Sequence, residues 1–470
     1  MTKNTSTRQQ KHSVISRIEV TREKLTGRAG LALFSRYVDS IGVASLVRQW
    51  FGPIRKSRKG LPIAECFRQL ILFFVDGSCL RLNHFDELKA DPGYAATIER
   101  RPQDLLSSHA VKRLLGVISF GRLRLFRALL QELFIWRLRL DKPKLVILDM
   151  DTMVMDNHDA QQRHGVAQTY KKRVRGFQPL QLVWGRVVID ALLRGGDHHG
   201  NRGNTAASMV ARAVDTIRAR YSPSVPIIIR HDAGFFDQHL FELYEDKLKI
   251  GYISGGRLFD QTKAYVQGCS PEAWQVYVNG NQEWSFVELG DRRGIWERFR
   301  RAIFCRPRYE NRQMLLEFAR PETIIHTNLG MAQQIDEQLR AAGYDWLLDA
   351  HGIIECYHDR GQDELVHRAV KDFAGERLPF KGFQQNTAFY YLMLVAFFLY
   401  ETFKLDVSAP VIPPTVYPTT FRRRFVDIAG KIVSHSGQIV LKVTQATMGR
   451  LKLDDLWLRA ASPPPLLQVT

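Results

Sequence analysis

The sequence predicts a mixed α/β protein: a sheet flanked by helices, with a β-rich insertion and helical regions at both ends. Three observations predict it. Before residue 140, apolar residues recur at three- and four-residue spacing, the period of helices packed by one face. Two short apolar runs, at 144–151 and 227–232, each end in aspartate and read as buried strands. Around them a hairpin pattern gives way to alternating strand and helix patterns, the order of a mixed sheet with helices packed on it.

Within 1–140 the spacing predicts helices at 31–34, 43–50, 67–75 and 111–140. The run Arg55-Lys56-Ser57-Arg58-Lys59-Gly60 interrupts them, and Arg122, Arg124, Arg127, Arg137 and Arg139 stud the last helix. A charge run is commonly a solvated face. Here the segment as a whole carries a net +14, which favours phosphate contact and a basic helical DNA-binding region. At Lys142 the texture changes. Strands are expected at 144–151, at 178–184 and, after a tight turn at Gly185, at 186–190. A helix at 206–221, a strand at 227–232, a helix at 236–248 and a strand at 249–254 complete the first half of the α/β core, 141–261. The insertion, 262–330, opens with strict alternation at 274–278 and 284–289 around Asn279-Gly280, which suits a type I′ turn. Strands follow at 301–305 and 314–318. Helices return at 332 and fill the second half of the core, 331–405. A Pro-rich linker, 409–418, leads into a basic helical tail within 406–470, beginning at Phe421-Arg-Arg-Arg424.

Lys and Arg total 67 against 48 acids among 470 residues, a formal +19. The middle, 141–405, is nearly neutral at +1, and 406–470 carries +4. Basic ends around a neutral centre point to a polyanionic partner, nucleic acid above all. Five scattered cysteines speak against a disulfide framework or a Cys-based zinc site. The polar first ten residues lack the apolar core of a signal peptide. The longest apolar run, 388–400, is short for a bilayer and suits a buried helix. The expected class is a cytoplasmic protein in contact with DNA or RNA and not with a membrane.

Asp149 and Asp151 stand two apart on one strand, so both face one side of the sheet. Asp232 ends a second strand. Carboxylates brought side by side are costly unless a cation lies between them, and Mg²⁺ or Mn²⁺ suits oxygen ligands. The plainer alternative has these acids capping helices or pairing with arginines. The segment Tyr357-His-Asp-Arg360-Gly-Gln-Asp-Glu364, with Lys371 seven further on, adds weight to the metal site. In a continuous helix, at about 100° per residue, Tyr357, Arg360, Glu364 and Lys371 share an arc of roughly 60°. A carboxylate so placed completes a metal site, while the cations and phenol hold phosphates passing over it.

Tyr357-x2-Arg360-x3-Glu364-x6-Lys371 resembles the Y-R-E-K signature of DDE transposases from bacterial insertion sequences. Leu148-Asp-Met-Asp-Thr152, the segment 165–179 ending in Arg-Gly-Phe-Gln-Pro, and Arg230-His-Asp-Ala-Gly-Phe-Phe236 resemble the same branch. So do 376–405, with Phe383 and Asn386 ahead of the apolar helix, and the basic tail; the likeness spans roughly 140–450. Met153 departs from the common form of the first motif, where a small or hydroxyl residue is usual. The resemblance implies a ribonuclease-H-like core whose Asp151, Asp232 and Glu364 bind two divalent ions and catalyse DNA cleavage and strand transfer. Asp151 is favoured over Asp149 because a hydroxyl residue, Thr152, follows it; Asp149 is an additional ligand or a structural acid. The resemblance further implies that Arg360, Lys371 and Tyr357 contact DNA phosphates. An insertion tryptophan (Trp274, Trp284 or Trp296, with Trp284 taken forward as the DNA contact) would stack a flipped base. Partners would be double-stranded DNA, as transposon ends and target, and a second copy of the chain. Asp197-His198-His199, in a Gly-rich loop, reads as solvent-exposed or DNA-facing, and His231 beside Asp232 reads as a structural hydrogen-bonding residue rather than one that tunes the site. The rival classes are a catalytically silent DNA-binding protein and a metal nuclease that cuts without joining.

Overall fold

The computed structural model describes residues 15, 17–54, 60–198, 200–294, 296–310, 313–314 and 322–466. The basic run at 55–59, His199, the first ten residues and 315–318 of the strand expected at 314–318 lie outside the described residues. A short strand, β1 (Lys24–Thr26), precedes seven helices. They are α1 (Leu31–Ile41), α2 (Val43–Phe51), α3 (Ile63–Asp76), α4 (His84–Ala90), α5 (Pro92–Thr97), α6 (Ser108–Gly116) and α7 (Phe120–Asp141). Next come β2 (Val146–Thr152), β3 (Met155–Asp156), β4 (Ala167–Gln168), β5 (Arg175–Phe177), β6 (Leu180–Trp184) and β7 (Val187–Leu192). Helix α8 (Thr205–Arg220) leads to β8 (Ile227–His231), α9 (Gln238–Glu242) and β9 (Gly251–Gly255). The insertion holds α10 (Asp260–Gln267), β10 (Gln275–Asn279), β11 (Gln282–Asp291), β12 (Arg300–Glu310), β13 (Gln313–Met314) and β14 (Thr323–Thr327). The second half supplies α11 (Gln334–Ala342), α12 (Ala350–Asp359), α13 (Gly361–Ala374) and α14 (Phe383–Phe403). The chain closes with α15 (Pro418–Phe421), β15 (Gly430–His435), β16 (Gln438–Lys442), α16 (Gln445–Leu451) and α17 (Leu453–Ala461).

One mixed sheet runs β10-β11-β12-β14-β9-β8-β2-β6-β7, with β13 on β12. Its centre, β2-β8-β9, is parallel; the strands on either side pair antiparallel. Parallel central strands are covered on both faces and read as unbroken apolar runs, which is why Val146-Ile-Leu and Ile227-Ile-Ile lack alternation. The insertion is not a separate layer: β14 pairs with β9 (Ile325 opposite Gly255), so β10 to β14 widen the core sheet. The hairpin at its edge departs from the expected turn. Asn279 pairs with Gln282, leaving Gly280-Asn281 as the two-residue loop. Only Gly280 of that pair has positive φ (57°), the pattern of a type II′ rather than a type I′ turn.

Helix α14 is apolar on every side, as a helix must be when no face meets water. It packs against α3, α7 and β7, with Phe389 on Phe74 at 5.0 Å and Tyr391 stacked on Phe126 at 5.9 Å. That single apolar cluster joins the N-terminal helices, the sheet and the C-terminal segment. A second cluster seats α11 and α12 on β9, β11, β12 and β14 through Ile335, Ile353, Ile253, Phe286, Ile303 and Ile325.

The structure corrects two readings of the basic ends. The arginines of α7 mostly turn inward. Arg127 grips Asp190 with both nitrogens at 2.6 Å, Arg137 bridges Asp406 and Asp141, and Arg139 donates to the Arg220 carbonyl. Arg122 reaches the Ile54 carbonyl at 3.4 Å, and Arg124 alone of the five is exposed. The segment 406–470 is not wholly helical, because β15 and β16 form a hairpin that pairs with β1. Its turn, Ser436-Gly437, has positive φ at both residues, as a two-residue type I′ connection requires. The Pro-rich stretch is packed: Ile412 is buried, and Lys404 Nζ donates to the carbonyls of Pro414 and Val416.

Candidate active site

Parallel pairing of β2 with β8 sets Asp149 opposite Arg230 and Met150 opposite His231. One step further along, Asp151 and Asp232 leave the same edge of the sheet. Asp151 Oδ1 accepts the Thr152 N–H at 2.6 Å, and Asp232 Oδ1 accepts the Gly234 N–H at 2.9 Å. The capping role foreseen as the plainer alternative is therefore real for Asp232. Burial and then the neighbouring Asp232 push the Asp151 carboxyl up to about 6, against the pull of Arg360 and the Thr152 N–H. The Tyr170 phenol is raised by burial and then by Asp151, Asp232 and Glu364 in turn, so all three carboxylates lie within electrostatic reach of one hydroxyl.

The Y-R-E-K residues lie on two helices, not one. Helix α12 ends at Asp359 and α13 starts at Gly361, with Arg360 at the junction holding helical angles (φ −57°, ψ −23°). Glu364 is exposed in the first turn of α13. The half-buried Tyr357 rests its hydroxyl against Gly255: a Cβ added there would lie 2.6 Å from Tyr357 Oη and 3.0 Å from the Ala233 nitrogen. That places the phenol at the turn following Asp232. The Arg360 guanidinium stands 5.7 Å from the Tyr357 ring centroid. Lys371 pairs with Glu376 at 2.9 Å, and Glu376 in turn accepts the Asp156 N–H at 3.0 Å. Among the described residues, no three His, Cys, Asp or Glu side chains converge closely enough to enclose a metal ion.

The sequence reading missed His367. It falls three residues after Glu364 and four before Lys371, on the stripe already drawn through Arg360, Glu364 and Lys371. Its Nδ1 lies 3.8 Å from Asp151 Oδ2, and its buried Nε2 has no hydrogen-bond partner among the described residues. Burial, then Lys371 and Arg360, push its pKa down to about 4, so the imidazole is neutral at pH 7.

Asp149 stands apart from this group. Arg230 grips it with Nε at 2.5 Å and Nη2 at 2.7 Å, while Nη1 donates to the Cys356 carbonyl at 2.6 Å. Its two oxygens are thus committed to a buried ion pair that ties β2 to β8 and to α12. His231 is also structural: it is fully buried, hydrogen-bonds Ser254 Oγ through Nδ1 at 3.1 Å, and is pushed down to about 3 by burial. Trp284 does not offer a free ring. It is 8% exposed and packs on His358 at 4.5 Å and Tyr277 at 5.6 Å. Trp296 is covered by Phe236, His326 and the Arg300 guanidinium; Trp274 lies under Arg306 at 5.1 Å. Asp197 and His198 pair with each other at 2.8 Å on an exposed loop.

No curated protein matches the chain. A family model described as transposase DDE domain group 1 matches residues 9–459, nearly the whole length. That span includes the N-terminal helices and the C-terminal hairpin, in keeping with the single apolar cluster that joins them to the sheet. Matched over nearly its whole length by that family's model, the chain belongs to the DDE transposase family.

Proposed function

We propose that this protein is the transposase of an insertion sequence of the Y-R-E-K branch, built on a ribonuclease-H-like core. It binds the terminal repeats of its own element, cuts there, and joins the freed 3′-hydroxyl to target DNA. What supports the reading is the parallel pairing of β2 with β8, which carries Asp151 and Asp232 to one edge of the sheet, with Glu364 within electrostatic reach of the same Tyr170 hydroxyl. DDE transposases in general use divalent ions, and the donor chemistry here fits Mg²⁺ or Mn²⁺. Burial and then the neighbouring Asp232 raise the Asp151 carboxyl to about 6, and a hard cation between the two carboxylates would offset that repulsion. Asp151 and Asp232 would hold the ions, with Glu364 closing over them from α13. Bound there, two ions would activate the attacking hydroxyl and stabilise the leaving oxygen.

The chain's own residues do the rest. Arg360, beside Tyr357 at the acid cluster, neutralises charge gathering on the phosphate, and Tyr357 donates to a phosphate oxygen from the turn after Asp232. Lys371 must leave Glu376 to reach a phosphate, so DNA competes with an internal carboxylate for it. Cutting two ends together calls for at least two copies of the chain, acting in the cytoplasm on double-stranded DNA. The test is metal-dependent cleavage of DNA bearing the element's terminal repeats, wild type beside Glu364→Gln. Cleavage at the repeat boundary leaving a 3′-hydroxyl, lost in the variant, supports the reading. Tight binding without cleavage in either metal would favour a silent DNA-binding descendant of a transposase.

A further inference from the structure

The strand pair β4–β5 carries a turn, residues 169–174, whose backbone is tied down from several sides. Thr169 donates to the Val174 carbonyl from its N–H (3.0 Å) and from its hydroxyl (2.9 Å). The Gln168 amide donates to the carbonyls of Thr169, Lys171 and Val174. The Tyr170 N–H donates to Oε1 of Gln178, a fully buried side chain whose amide also holds the His198 carbonyl. Arg173 takes φ +63°, so the turn is set in a conformation that a β-branched residue would resist. All four tip side chains, Tyr170, Lys171, Lys172 and Arg173, nevertheless point to solvent. Gln178 directly precedes Pro179, whose carbonyl accepts the Met153 N–H at 3.0 Å two residues after Asp151, so the turn is tied to the end of the acid-bearing strand, with Tyr170 58% exposed.

The three cations differ from most of the arginines described above. Arg127, Arg137 and Arg230 are committed to internal carboxylates, and Lys371 is tied to Glu376. Among the described residues, Lys171, Lys172 and Arg173 make no ion pair, although Gln178 ties their turn to the strand end that carries Asp151. A rigid turn that presents an aromatic ring and three unpaired cations beside a carboxylate cluster matches what a single nucleic-acid strand needs: a π-face for a base and charge for successive phosphates.

We propose that the 169–174 turn is a strand-holding element, in which Lys171, Lys172 and Arg173 bind phosphates of the strand passing the acids and the Tyr170 ring stacks the nucleotide next to the cut. The inference rests on the transposase reading and adds the contact that replaces the covered insertion tryptophans. The strand held is either the element's own end or the target, and the chemistry of holding it is the same.

The test uses full-length protein without divalent ions and duplexes carrying 2-aminopurine, either beside the cut in repeat-end DNA or in an unlabelled end's target duplex. Wild type and Tyr170→Phe are expected to quench the label several-fold in the duplex whose strand the turn holds, and Tyr170→Ala to lose that quenching. The triple variant Lys171→Gln, Lys172→Gln, Arg173→Gln is expected to weaken binding at least about tenfold for every DNA sequence. The same variant should flatten the slope of log Kd against log salt by about two to three. The substituted side chains are exposed, and an unchanged melting temperature establishes that the variants fold. Quenching by Tyr170→Ala equal to wild type, with an unchanged salt slope in the triple variant, overturns the proposal and leaves the transposase reading standing. A wild type that neither binds nor cuts repeat-end DNA overturns both.

Discussion

The Nδ1 of His367 faces Asp151 Oδ2 across 3.8 Å, with its Nε2 left unpartnered in a buried setting. A neutral imidazole at that separation is too far for a hydrogen bond to Asp151, and close enough to fix where the carboxylate rests. His367→Ala is expected to lower cleavage about 10–100-fold, with a raised divalent-ion requirement and unchanged affinity for end DNA. His367→Gln, which retains a polar group there, should recover part of the loss. Wild-type cleavage by His367→Ala across a Mn²⁺ titration would remove His367 from the site.

Asp151 carries a pH signature in the metal-free protein. Its folded pKa, about 6, lies above the ordinary 3.8 because of burial and Asp232. An acid raised on folding binds its proton more tightly in the folded state. The contribution of Asp151 to stability is therefore full at and below about pH 4, falls as pH climbs through 6, and is level above that. The whole swing is on the order of 3 kcal/mol. Without divalent ions, wild type should melt at a higher temperature at pH 5 than at pH 7.5, and Asp151→Asn should show a clearly smaller difference. Identical pH responses of the two proteins would count against the coupling.

The pair Arg230–Asp149 is expected to act on stability. Removing one partner strands a buried charge, so Asp149→Ala or Arg230→Ala should lose about 3–5 kcal/mol in urea unfolding. Replacing both by apolar residues of similar volume should restore much of that. If Asp149→Ala unfolds like wild type and merely loses activity, the pair is not what fixes that end of the sheet.

Trp284→Ala should also act through packing. Its ring is 8% exposed between Tyr277 and His358. Truncation should cost about 3–5 kcal/mol of stability and leave DNA affinity of the folded protein within twofold. A large affinity loss at unchanged melting temperature would return the ring to the DNA.

What the sequence made legible follows the range of the interactions involved. Strands β2 and β8 could be read because Val146-Ile-Leu and Ile227-Ile-Ile are continuous apolar runs, and their acids because each follows directly. Helix α14 could be read because it is apolar all round. The destinations of the arginines could not, since the partners are distant in the chain: Asp190 lies 63 residues from Arg127 and Asp406 lies 269 from Arg137. The β15–β16 hairpin was passed over because Arg422, Arg423 and Arg424 set a helical expectation, while Ser436-Gly437 carried an overlooked turn signal. His367 was within reach, on a stripe already drawn, and was missed because only charged groups and the phenol were placed on it.

Strand β1 pairs with β15, Lys24 opposite Ile432, and Arg28 meets Asp427 at 2.8 Å. During synthesis, the first strand thus leaves the ribosome long before its mate. At ~5–20 residues per second the wait is roughly 20–80 s. Through that interval the edge at 24–26 stays open, and the helices after it await α14 to cover them. An interrupted copy of the gene, ending before Phe383, would lack both α14 and β15. It would yield a chain with an unpaired strand at its start and an uncovered apolar surface, which is a substrate for quality control and for aggregation.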